Sequence, residues 1–128
     1  MAKKSRDKGK LGERDLAHYL TRLGFPARRT QQFCGRGGDS ADVVSDLLPS
    51  VHIEVKRNEK LDMGTALLDA AMAQSESEAK TGHHAVVFWR PSKKCWRLTL
   101  RCNHRGLLIT LAGDENIKKT LEALSHID

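Results

Sequence analysis

The sequence predicts a single α/β domain, and three stretches predict it. Leu16, Tyr19, Leu20 and Leu23 recur at the three-, four- and seven-residue spacings of one buried helical stripe. Val51, Ile53 and Val55 alternate with His52, Glu54 and Lys56, the two-residue period of a strand with one apolar and one polar face. Ala85, Val86, Val87, Phe88 and Trp89 form a continuous apolar run, as expected of a strand covered on both faces. At 128 residues the chain can bury an ordinary core without disulfide or metal staples, and no repeat or linker-like shift in composition divides it.

Composition narrows the partners. Lys and Arg number 22 against 16 Asp and Glu, a formal net charge of +6. That excess favours a polyanion such as nucleic acid; the alternative is a merely basic surface. Cys34, Cys95 and Cys102 are odd in number and lack CxxC pairing, which points to reduced thiols and a cytoplasmic setting. Cys95, Cys102 and His104 do not have the spacing of a zinc knuckle. No apolar leader core or membrane-length run is present, so neither secretion nor membrane insertion is indicated.

In chain order, residues 1–10 read as a mobile basic arm. Its Lys3, Lys4, Arg6, Lys8 and Lys10 either aid solubility or neutralise phosphates. A helix follows over 11–23 and Gly24 ends it. Glu13 lies three residues before Leu16 and seven before Leu20, on the inward side. It either complements the helix dipole or needs a partner inside. Residues 25–33 read as an irregular or edge strand whose Arg28, Arg29, Gln31 and Gln32 offer donors to phosphates or bases. The glycine-rich 34–40 segment, containing Arg36 and Ser40, lacks a phosphate-cradle motif and reads as a hairpin loop.

Residues 41–44 should form a strand paired with 51–56, which brings Asp42 beside Glu54. After a polar connector, a helix over 64–80 presents Leu67, Leu68, Ala71, Met72, Ser75 and Ala79 as a narrow packing face, with Gly82 as its stop. Gln74 falls near that face, either as a boundary residue or as a holder of water or a phosphate oxygen. Strands are expected at 85–89, 96–101 and 106–111, the second with Arg97 and Arg101 on one face. Asp114 should cap a final helix that buries Ile117, Leu121 and Leu124.

Glu13, Asp42, Glu54 and Lys56 therefore converge. Each has an ordinary surface explanation, and a Glu-x-Lys pair on a strand is frequently solvent-facing. Together they offer hard oxygens suited to magnesium or manganese and an ammonium able to orient water and offset charge.

Asp42 followed by Glu54-Val55-Lys56 after a short hairpin, and preceded by a helical Glu13, resembles the PD-(D/E)XK nuclease superfamily. Within it, Lys8-Gly9-x-x-Gly12-Glu13-Arg14-Asp15-Leu16, the Gly24-Phe25 helix exit, the glycine-rich loop, Asp42-Val43-Val44 and Ile53-Glu54-Val55-Lys56 resemble the archaeal Holliday junction resolvases and their phage-borne relatives. The resemblance implies a restriction-endonuclease-like mixed central β-sheet flanked by α-helices, an αβββαβ core. It implies Mg2+-dependent hydrolysis of phosphodiesters in branched DNA, with Mn2+ able to substitute, by a homodimer in the cytoplasm, either at the nucleoid or within a phage host.

Asp42 and Glu54 would be the principal metal ligands, Glu13 a further ligand or water-holder, and Lys56 the lysine near the attacking water. Ser40 and Gln74 would be subsidiary. DNA contacts would come from Lys3, Lys4, Arg6, Lys8, Lys10, Arg28, Arg29 and Arg36. Ala41 stands where the superfamily has proline, a residue that supplies no metal oxygen. The alternatives are a nuclease of the same superfamily acting on other duplex or branched DNA, and a DNA-binding module without chemistry. The short chain leaves little room for a sequence-reading domain, which favours recognition of shape and charge.

Overall fold

A computed structural model of the chain describes residues 2–30, 41–57, 65–90, 95–102 and 106–126. The sequence expectations for Ser40 and Arg36 lie outside the described residues, as do those for the side chains of Lys3, Lys4, Arg6, Lys8 and Lys10. The apolar stripe forms helix α1 (Ala2–Leu23). This helix begins well before the predicted start at residue 11, so the backbone of the segment read as a basic arm continues the helix. Its lysines, arginine and alanine are good helix formers, and Gly9 alone does not interrupt it. At the other end, Gly24 adopts φ 109°. Its N–H donates to Thr21 O at 3.1 Å, and Phe25 N–H donates to Leu20 O at 2.8 Å, a Schellman cap that returns the chain to the core.

The strands are β1 (Ala27–Arg29), β2 (Val43–Ser45), β3 (Val51–Arg57), β4 (His84–Arg90), β5 (Arg97–Arg101) and β6 (Leu108–Ala112). They form a six-stranded sheet in sequential order. All neighbours are antiparallel except β3 and β4, which run parallel with Glu54 opposite Val87. A parallel pair needs a crossover, and helix α2 (Thr65–Glu78) supplies it. Helix α3 (Asp114–Ser125) follows β6. The mixed sheet flanked by helices and its αβββαβ beginning are therefore as expected.

Alternation along β4 explains the two cores. Val86 and Phe88 pack with Leu16, Leu20, Val43, Ile53, Leu98, Ile117 and Leu121 on the α1 and α3 side. Val87 and Trp89 pack against Leu68, Ala71 and Met72 of α2. The apolar run is thus covered on both faces. Two details differ from expectation. Leu67 is exposed, because the small-residue face of α2 is centred on Leu68, Ala71, Met72 and Ser75. Asp114 is not the cap of α3: Gly113 occupies that position without a side-chain cap, while Asp114 Oδ1 accepts a 2.8 Å hydrogen bond from Tyr19 of α1. Among the described residues, no helix is long and apolar enough to cross a membrane.

Because Ile117 is fully buried between α3 and the sheet, Ile117→Ala should lower unfolding stability by about 2–5 kcal/mol in urea denaturation. A loss below about 0.5 kcal/mol, within the range of surface changes, would mean that α3 does not contribute to the common core.

Candidate active site

The polar edge of β3 faces α2. Val51 and Ile53 go to the opposite core, so His52, Glu54 and Lys56 share the remaining face. His52 and Glu54 are both 3% exposed. The hairpin delivers Asp42 to this strand: its N–H donates to Ile53 O at 2.9 Å, and its Oδ2 accepts from Val55 N–H at 2.9 Å. Its carboxyl also lies close to that of Glu54, near enough to perturb its ionisation.

Helix α2 completes the cluster from above. Lys56 Nζ donates to Gln74 Oε1 at 2.9 Å, and Gln74 Nε2 donates to Glu78 Oε1 at 3.3 Å. Both amide ends are thereby assigned by their partners. Glu78 in turn interacts with Glu54. The match is geometric. Four helical residues rise about 6 Å and two strand residues about 6.6 Å, so Gln74 and Glu78 fall in step with Lys56 and Glu54.

Three acids in contact cannot all ionise cheaply. Burial, followed by the hydrogen bond and charge of Glu54, pushes Asp42 up from 3.8 to about 7, against the Val55 N–H and Lys56. Burial also raises Glu54; Asp42 opposes that shift, Glu78 reinforces it and Lys56 opposes it. Glu54 Oε2 is buried without a hydrogen-bond partner. Excess carboxylate and an unsatisfied buried oxygen fit a divalent cation.

The other expected residues are disposed differently. Glu13 is half-buried on α1 and accepts from Arg29 Nε at 3.1 Å. Arg29 lies opposite Val43, the residue after Asp42, so this ion pair sits one strand away from the acid pair. The inward carboxylate thus has a partner, and Arg29, expected on DNA, supplies it. Arg28 is exposed, 3.4 Å from Asp46. Among the described residues, the group whose potential ligand atoms lie within 4.8 Å of one another is His52, Glu54 and Glu78. Sequence reasoning missed His52 and Glu78. The available signals were His52 two residues before Glu54 on the same strand face, and Glu78 four residues after Gln74 on the same helix face.

No family model matches the chain, and neither does any curated protein. A solved structure does: Archaeoglobus fulgidus Hjc, a Holliday junction resolvase from an archaeal hyperthermophile. Its TM-score is 0.52 at 18% identity, and the match covers 88% of this chain and 98% of that one. The chain has an Hjc-like fold. At this identity the likeness concerns architecture: the mixed sheet, its crossover helix and the flanking helices.

The raised Asp42 has a stability consequence. The folded state holds this proton more tightly than the unfolded state, so the associated stabilisation is present near the unfolded value of 3.8 and is lost as pH rises towards about 7. Metal-free protein should therefore melt at progressively lower temperature between about pH 4 and about pH 7, and Asp42→Asn should flatten that slope. Calorimetry that finds identical slopes would remove Asp42 as the group responsible.

Proposed function

We propose that the chain is a divalent-cation-dependent DNA endonuclease whose preferred substrate is the four-way junction. One observation carries this reading: on an Hjc-like fold, the buried Glu54 and half-buried Asp42 lie beside a lysine held in place by Gln74. A surface charge pair requires neither the burial nor the tether.

Asp42 and Glu54 would hold the cation, Mg2+ or Mn2+. When bound, the ion supplies positive charge to the phosphate and makes water more acidic. The Val55 N–H fixes Asp42 Oδ2 in the ground state. Gln74 fixes the Lys56 ammonium without neutralising it. Lys56 is then free to donate to the attacking water or to a phosphate oxygen, where negative charge grows during attack. Glu78 orients the Gln74 amide. Glu13 acts through Arg29, keeping that guanidinium near the acid pair, while exposed Arg28 is available to phosphate. Ser40 and Arg36 keep their proposed parts, as supporting serine and phosphate contact. A cytoplasmic site of action suits Cys95 and Cys102, neither of which is in a disulfide. A homodimer suits paired incision of a two-fold-symmetric junction.

With Mg2+, the purified chain should cut a synthetic four-way junction faster than linear duplex of the same sequence, placing symmetric nicks in opposing strands. Equal cutting of both substrates would remove the junction preference, and uncoupled single nicks would remove the dimer. Asp42→Asn, Glu54→Gln and Lys56→Ala should each lower cleavage by at least about a hundredfold while leaving junction binding largely intact. Wild-type rates in these variants would place the chemistry elsewhere.

The basic start of α1 is proposed as a phosphate-binding element through Lys3, Lys4, Arg6, Lys8 and Lys10. Deleting residues 2–8 should weaken binding and reduce the dependence of log affinity on log salt by about 0.9 for each phosphate that is no longer neutralised. An unchanged slope would exclude that role.

A further inference from the structure

Glu54 meets Asp42 on one side; on the other it meets His52, which the proposed hydrolysis leaves unused, and Glu78, which there serves only to orient Gln74. His52 occupies the same face of β3, two residues earlier, and its Nε2 stands 3.8 Å from Glu54 Oε2. That separation exceeds a hydrogen bond. The Glu54 side chain is only 4% exposed, and its Oε2 has no hydrogen-bond partner. Glu78 approaches from the last turn of α2, so that one donor atom from each of the three residues lies within 4.8 Å of the other two. An ion about 2.1 Å from each ligand needs donors no more than about 4.2 Å apart. Glu78 is the exposed member of the three, so closing that difference on binding would fall to its side chain.

The donor set is one imidazole nitrogen and two carboxylate oxygens. Magnesium and calcium prefer oxygen donors and gain little from an imidazole. Borderline transition-metal dications accept both kinds of donor, zinc in particular at three-ligand sites that leave a position open. A buried carboxylate oxygen aimed at an imidazole nitrogen across a gap too long for a hydrogen bond is the arrangement that a bridging ion would satisfy.

We propose that His52, Glu54 and Glu78 form a second cation site, selective for a zinc-like transition-metal dication and sharing Glu54 with the Asp42 site. Its occupancy does not depend on nuclease activity. A chain that cuts no DNA would still bind the ion, so failure of either reading is separable from failure of the other.

The test is titration of the metal-stripped full-length chain with Co2+, read by visible d–d absorption, followed by competition with Zn2+ and with Mg2+. Wild type should bind Co2+ with an absorption band that Zn2+ abolishes and excess Mg2+ leaves in place. Glu78→Gln and His52→Gln should each weaken Co2+ binding at least about tenfold, whereas Asp42→Asn should retain the band. His52 is deeply buried and its replacement can impair folding; Glu78 lies at the helix end, so Glu78→Gln decides the matter by itself. Absence of the band in wild type, its displacement by Mg2+, or wild-type affinity in Glu78→Gln would overturn the site.

Discussion

Glu54 puts a carboxyl group into the middle of a sheet, 3% exposed, with Asp42 on one side and Glu78 on the other. Removing a charge from water is costly unless it is paired or hydrogen-bonded. The nearby cation, Lys56, is itself committed to Gln74. The cluster therefore favours protons shared between carboxyls, and the same features make it receptive to a cation that could take their place. The upward pKa shifts of Asp42 and of Glu54 both express this one constraint.

The topology of β3 explains how the acids are brought together. Its antiparallel neighbour arrives through a hairpin, which places Asp42 alongside the strand. Its parallel neighbour requires a crossover, which lays α2 over the polar face. A hairpin on both sides would have left Glu54 and Lys56 open to solvent. With the crossover, Gln74 and Glu78 descend on them at a helical spacing that nearly equals the strand spacing.

The opposite face is stabilised by a separate set of interactions. Leu16, Leu20, Phe88, Ile117 and Leu121 make an apolar layer between α1, α3 and the sheet. Polar groups at its margin are joined across long stretches of sequence. Tyr19 bonds Asp114, and Arg90 pairs with Asp15 at 2.6 Å while lying over the Trp96 ring. These contacts fasten both helices to β4 and its neighbours. The sheet beneath the acid cluster is consequently held from the side away from those acids.

Periodicity alone determined the helices, the strand alternation and the common face of Glu54 and Lys56, because these depend on φ/ψ geometry and burial within short windows. It also indicated that Asp42 would reach Glu54, since a hairpin is a local connection. Only the tertiary structure decided the rest. Glu13 found Arg29, Asp114 turned from helix cap to Tyr19 partner, and Glu78 and His52 joined Glu54. Those outcomes depend on which faces meet across the crossover and on which charge lacks a partner once water is excluded. A local pattern carries no record of either.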